Sequence, residues 1–239
     1  MSKLVLVRHG QASFFSDNYD KLSEMGERQA RALAEYWLRS GIEFDESYTG
    51  TLSRQTRTEE VVAETYRAAG KAWPKVEVLP GLDEYPADEI MGTLLPLLAT
   101  NDERIRRLEF EHRATTGGRE KYRSFHRLLA AVMEEWISGE HATNGMTRWE
   151  VFRDRVRRDF RRILAREGNG RRVAVFSSGG VIGVSVQSVL QAPDLMAAEL
   201  NWRVHNCSLT EFTFSGDRIT LDTFNAVPHL SDPELLTYR

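Results

Sequence analysis

From residue 173 to residue 193 the chain carries no charged side chain. A stretch of about 20 such residues is long enough to cross a membrane, so it must do that or be buried inside a protein core. Its interior decides between the two. Val173, Val175 and Phe176 make a β-branched and aromatic run, Ser177-Ser178-Gly179-Gly180 interrupts it, and Val181-Ile182 opens a second apolar run. That pattern reads as strand, turn and helix. A strand with no polar alternation is buried on both faces, as happens in a parallel sheet covered by helices. The segment therefore predicts the interior of an α/β domain.

The same unit recurs along the chain. Residues 3–7 form a short apolar run ending at Arg8, and Ser23 can cap a helix in which Ala30, Leu33, Ala34, Trp37 and Leu38 recur at helical spacing until Gly41. Residues 46–49 give a second strand and 53–69 its helix, stopped at Gly70; residues 76–79 give a third strand, ended by Pro80-Gly81. The tail alternates as strands over 209–214 and 219–224 around a turn at Gly216-Asp217. A long helical stretch, roughly 91–166, interrupts this order, with amphipathic helices over 119–138 and 147–166. Long insertions in compact domains are usually functional. The expectation is one three-layer α/β/α domain over 1–239, with a mostly parallel central sheet and a helical insertion over the site. Arg153, Arg155, Arg157, Arg158, Arg161 and Arg162 read first as a solvated helix face, and alternatively as a rim for an anionic substrate.

Composition narrows the functional classes. With 239 residues, 41% hydrophobic and 28% charged, the chain can bury a sizeable core. A net charge of −3 argues against nucleic acid as a partner, because backbone phosphates demand a strongly basic surface. One cysteine, Cys207, allows no internal disulfide framework, which fits a reducing, cytoplasmic location, and the apolar run near residue 1 is too short for a signal peptide. No membrane partner is expected, and a homodimer is left open.

In open α/β sheets ligands bind beyond the carboxyl ends of the strands. There the chain places Arg8-His9-Gly10, then Leu52 and Arg54 with Thr58, then Leu82-Asp83-Glu84, then Ser177-Ser178-Gly179-Gly180. Taken in order, Arg8-His9-Gly10, Leu22-Ser23 with Gly26, Gln29 and Ala30, Leu52-x-Arg54-x-x-x-Thr58 and Leu82-x-Glu84 resemble the motifs of the histidine phosphatase (phosphoglycerate mutase-like) superfamily. The resemblance covers most of the chain outside the helical stretch, and it implies phosphoryl transfer with no cofactor.

The residue types suit that chemistry on their own terms. A neutral imidazole keeps one nitrogen lone pair for attack on phosphorus, which makes His9 the candidate nucleophile. Its other nitrogen needs a fixed acceptor, most simply a backbone carbonyl in the turn after Gly10. Arg8 and Arg54, charged at every relevant pH, complement phosphate oxygens, and no metal is then required. Glu84 is the candidate proton donor to a leaving alkoxide, and as carboxylate it can activate the water that hydrolyses a phosphohistidine. Asp83, in an extended segment, should point the other way.

The family pattern places a second histidine after the fourth strand, where this chain has Ser178. Ser178 and the N–H groups from Gly179 onward are expected to donate to phosphate in its place, with His205 or His229 as alternative fillers of the gap. In Gln11-Ala12-Ser13-Phe14-Phe15, Ser13 is the expected phosphate contact. Tyr85-Pro86-Ala87 lacks the basic, aromatic and glycine residues of true phosphoglycerate mutases. The resemblance thus implies a phosphatase acting on a small phosphorylated metabolite, with activity reduced by Ser178. A phosphate-binding regulator without turnover is the alternative, and a mutase the third.

Overall fold

The computed structural model describes residues 1–13, 20–141, 145–216 and 218–238. Phe14, Phe15 and the turn residue Asp217 lie outside them.

Six strands form one mixed sheet in the order β3 (Val76–Val78), β2 (Glu46–Thr49), β4 (Arg172–Ser177), β1 (Ser2–Arg8), β5 (Leu209–Ser215), β6 (Arg218–Ala226). The pairings from β3 through β1 are parallel, and those of β1 with β5 and of β5 with β6 are antiparallel. Register aligns the carboxyl ends of the parallel set. Arg8 lies opposite Ser177, and Thr49 opposite both Phe176 and Val78, so the residues that follow these strands emerge at one edge.

The pleat sends alternate residues to opposite faces. Val5, Val7, Ala174 and Phe176 face one core with Ala30, Leu33, Ala34 and Trp37 of α1 (Glu24–Arg39) and Val61, Val62 and Tyr66 of α2 (Ser53–Ala68). On the opposite face Leu4, Leu6, Val173 and Val175 are fully buried; α7 (Gly179–Leu190) packs there on β1 and β6, while Phe160 meets Phe212 of β5 at 5.6 Å between ring centroids. This is the three-layer α/β/α arrangement. Each fully buried large apolar side chain stabilises it by about 1.5–3 kcal/mol. Ser23 caps α1 as expected, accepting from the Gly26 N–H at 3.1 Å, with Glu24 and Glu27 in the first turn, and Gly41 beyond the helix takes φ +64°.

The chain divides into two compact units, Met1–Glu84 with Arg155–Arg239, and Tyr85–Asp154. The first holds the whole sheet. The second contains α3 (Ala87–Asn101), α4 (Glu103–Ala114), α5 (Gly118–Ser138) and the opening of α6 (Trp149–Leu164). Tyr85, Trp136 and Phe152 cluster within it, the Tyr85 ring 5.7 Å from each of the other two. Helical structure thus begins before residue 91, and the part of α6 from Arg155 onward belongs with the sheet. In the first unit α7 is followed by α8 (Leu195–Asn201). Among the described residues no helix is long and apolar enough to cross a membrane.

Candidate functional site

His9 follows β1 and is held from both sides. Its N–H donates to Ser177 O of β4 at 2.8 Å, and its carbonyl accepts from the Cys207 N–H at 3.2 Å and Asn206 Nδ2 at 3.4 Å. The ring is 5% exposed by residue and is fixed by two contacts: Nδ1 to Gly10 O at 2.7 Å, and Nε2 to Arg54 Nε at 3.2 Å. A carbonyl only accepts and a guanidinium only donates, so Nδ1 carries the proton and Nε2 the lone pair. Burial, then the charges of Arg54 and Arg8, hold the imidazole well below its usual pKa, against a smaller opposing pull from the Gly10 contact. The ring is therefore neutral at neutral pH, with Nε2 directed at a guanidinium. The acceptor expected in the turn after Gly10 is instead the carbonyl of Gly10 itself, the residue next to His9.

The motif residues that carry no charge build the turn around this ring. A Cβ on Gly10 would lie 2.6 Å from Gly26 O, and one on Gly26 only 2.3 Å from Gln11 O, so the start of α1 and the turn touch backbone to backbone. Gly10 N–H donates to Thr58 Oγ1 at 3.0 Å, and that hydroxyl donates to Arg54 O at 2.7 Å. Gln11 N–H donates to Gln29 Oε1 at 2.8 Å. One network of short bonds thus joins the His9 turn to both α1 and α2.

Arg8 and Arg54 are each 8% exposed. Arg8 Nη1 donates to Val204 O, and its charge reaches the His9 ring. Arg54, in the first turn of α2, also binds Asp20: Nη1 to Oδ1 at 2.6 Å, with the Ser53 N–H giving to Oδ2 at 2.7 Å. A carboxylate held by a guanidinium and a helix-start N–H marks a place suited to an oxyanion. Asp20 had no signal in the sequence, being tied to Arg54 only through the fold.

Glu84 and Asp83 diverge as extended backbone requires. Asp83 Oδ2 accepts from Thr51 Oγ1 at 2.6 Å, while Glu84 Oε2 accepts from the Gly180 N–H at the start of α7 at 3.1 Å. Ser178, the N-cap of α7, is fully buried, and its Oγ accepts from Gln55 Nε2 at 2.8 Å, which leaves its own O–H to donate. Gln55 Nε2 also reaches Leu82 O at 3.0 Å, tying the third and fourth motifs together. Gly179 packs closely on the Asn201 side chain, whose Oδ1 lies 2.1 Å from where a Cβ would stand. The structure thus brings Arg8, His9 and Arg54 into one cluster and Glu84, Ser178 and Gly179 into another, and the hydrogen bond from His9 to Ser177 joins the two.

Ser13 lies just past the bridge between Ala12 and Leu22, its N–H donating to Lys21 O at 2.8 Å. Of the alternative fillers, His205 is engaged by Asn225 and packs tilted against Tyr238, ring centroids 4.1 Å apart, and buried His229 lies beside Tyr36. The solvated-face expectation holds for Arg158, Arg161 and Arg162, which are exposed, and not for Arg155 and Arg157, which are half-buried. Arg157 binds Ser188 and Gln187, Arg162 binds Glu77, and Arg155 binds the backbone ahead of Glu84, so these side chains tie α6 to the sheet unit.

The family model of the histidine phosphatase superfamily (branch 1) matches residues 4–147 and 133–227. A 2,3-bisphosphoglycerate-dependent phosphoglycerate mutase of Lactobacillus acidophilus is 39% identical over 64 residues, 24% of this chain and 28% of the relative's own length. Among solved structures, phosphoserine phosphatase of Entamoeba histolytica in complex with 3-phosphoglyceric acid superposes with a TM-score of 0.61 at 20% identity, covering 96% of this chain and 100% of that one. A mycobacterial glucosyl-3-phosphoglycerate phosphatase gives 0.60 at 21% identity, covering 95% and 99%. At these identities the structural likeness speaks for the fold.

Proposed function

Because the chain belongs to the histidine phosphatase superfamily, we propose that it is a metal-independent phosphomonoester hydrolase that works through a phosphohistidine on His9 and takes a small phosphorylated metabolite. One observation carries this reading: the His9 ring is held neutral, with Nδ1 committed to Gly10 O and Nε2 presented to Arg54. In the first step the Nε2 lone pair attacks phosphorus, the P–N bond forms, and the P–O bond to the leaving alkoxide breaks. Arg8 and Arg54 balance the charge of the phosphoryl oxygens, and Ser178 Oγ with the N–H groups opening α7 supplies neutral donors. Glu84, adjoining those N–H groups, gives its proton to the alkoxide. In the second step the resulting carboxylate takes a proton from water, which attacks phosphorus, breaks the P–N bond and releases inorganic phosphate with His9 restored.

The relatives matched in sequence favour a second reading, in which a hydroxyl of the substrate, and not water, takes the phosphoryl group from His9. The two share the first step. Steady release of phosphate from p-nitrophenyl phosphate in the presence of a chelator, abolished in His9→Ala, is the expected result. Full activity in His9→Ala, or a strict requirement for added metal, would overturn the reading, and label passing between two positions of a phosphoglycerate without net hydrolysis would select transfer.

A further inference from the structure

Glu84 ends a segment, residues 80–84, whose only regular structure is the single 3-10 turn Pro80–Leu82. Such a segment has no ladder of its own to fix a carboxylate, so the fate of its backbone groups decides how well Glu84 is aimed. Two N–H groups stay in the turn, Leu82 N–H giving to Leu79 O at 3.0 Å and Asp83 N–H to Pro80 O at 3.2 Å, and side chains tie the segment to its surroundings. Leu82 O accepts from Ser177 Oγ at 2.6 Å and from Gln55 Nε2 at 3.0 Å. Further side-chain contacts come from α6. Arg155 Nη1 donates to Pro80 O at 2.8 Å, and its Nη2 to both Asp83 O and Glu84 O at 3.0 Å. One turn later on the same helix face, Asp159 Oδ2 accepts from the Gly81 N–H at 2.9 Å. The fit leaves no slack: a Cβ on Gly81 would lie 2.2 Å from that same oxygen and 2.9 Å from Arg155 O.

We propose that Arg155, seconded by Asp159, is a positioning residue that aims the Glu84 carboxylate, so that an arginine of α6 governs proton transfer without touching the substrate. The inference rests on the reading of Glu84 as proton donor. Arginine suits the role because its planar fork reaches three carbonyls at once, which a single ammonium cannot do. A guanidinium whose two Nη groups donate to carbonyls of its own chain is also poorly placed to bind an anionic ligand, which sets Arg155 apart from a substrate rim.

The test compares two aryl phosphates of similar shape in the full-length chain. p-Nitrophenolate departs without help, whereas the more basic phenolate of phenyl phosphate gains from protonation as it leaves. Glu84→Gln is expected to lower kcat/KM for phenyl phosphate ~10-fold or more beyond any loss on p-nitrophenyl phosphate. Arg155→Gln is expected to show the same leaving-group bias, ~10-fold on phenyl phosphate and within ~3-fold on p-nitrophenyl phosphate. Arg155→Lys, which keeps the charge, should not restore it, and the Glu84→Gln/Arg155→Gln double variant should be no slower than Glu84→Gln. Equal losses on both substrates in Arg155→Gln and Arg155→Lys, or no loss at all while Glu84→Gln keeps its bias, would overturn the positioning role and leave the role of Glu84 standing. Absence of bias in Glu84→Gln would remove the proton-donor reading and this inference with it. Should Arg155→Gln fail to fold, Arg155→Lys decides by the same ratio.

Discussion

Replacing Arg54 with glutamine probes the contact on which His9 depends. The wild-type guanidinium gives Nε to His9 Nε2 at 3.2 Å and Nη1 to Asp20 at 2.6 Å, and its side chain is 9% exposed. Glutamine retains one amide donor of shorter reach and no charge. Asp20, 31% exposed by side chain, keeps the Ser53 N–H at 2.7 Å and regains water, so the fold should lose only about 1 kcal/mol. The effect on phosphate is larger. Each charge-assisted bond is worth about 1.5–3 kcal/mol, so losing one lowers kcat/KM roughly 10- to 100-fold. The pH profile carries the more specific signature. Burial, Arg54 and Arg8 all depress the His9 pKa, and only the neutral ring can attack; without Arg54 the ring protonates at higher pH, and the acid limb of kcat/KM moves upward. Burial and Arg8 remain, so the limb stays below that of an ordinary histidine. The substrate's own second ionisation is common to both enzymes and cancels from the comparison. Steady-state rates on p-nitrophenyl phosphate from pH 4.5 to 8, with thermal melts as a folding control, provide the assay. An acid limb that does not move, with kcat/KM within about 3-fold of wild type, would refute the coupling of Arg54 to His9.

Other expectations follow from the same geometry. Ser178→Ala should lower kcat/KM about 10-fold with little change in melting temperature, because Gln55 Nε2 keeps Leu82 O while the hydroxyl donor is lost; unchanged kinetics would place Ser178 outside the phosphate site. Gly26→Ala drives a Cβ into the Gln11 carbonyl, and since the obstacle is backbone it should destabilise by about 1–3 kcal/mol, a fall of roughly 2–12 °C in Tm; an unshifted Tm would contradict the close approach of α1. His229 is held down to about 4 by burial, against an opposing contact with the Cys207 backbone. Its folded pKa lies below the unfolded value, so the unfolded state takes the proton first. Its contribution is intact above about pH 6.5 and is lost as pH falls toward 4, by roughly 3 kcal/mol. Chemical denaturation at pH 7 and 4.5 should show a smaller difference in His229→Gln than in wild type, and equal differences would count against a buried neutral ring.

What could be read from the sequence was whatever local pattern encodes. The strand-turn-helix around Ser177 to Gly180, the cap at Ser23, the divergence of Asp83 from Glu84 and the clustering of Arg8, His9 and Arg54 all follow from periodicity and from ends of parallel strands being level. The remaining contacts join residues that no spacing relates. Asp20 pairs with Arg54 from outside α1, Gln55 sits between Leu82 and Ser178, and Arg155 and Asp159 reach back to Gly81 and Glu84 from an arginine-rich helix that resembles a solvated one. A side chain bound to a distant backbone carbonyl leaves no periodic trace. The boundary at Glu84 and Arg155 escaped for a related reason: α6 is continuous across it, and helical periodicity does not register a change of neighbours.

Rapid acid-free quenching during turnover of a 32P-labelled phosphomonoester, followed by peptide mapping, examines the bond on which the whole reading turns. Label should appear on the peptide containing His9, survive alkali, vanish in mild acid and be absent from His9→Ala. Turnover at full rate with no label on His9 at any time, or label on another side chain, would mean that the buried imidazole is not the group that receives the phosphoryl unit.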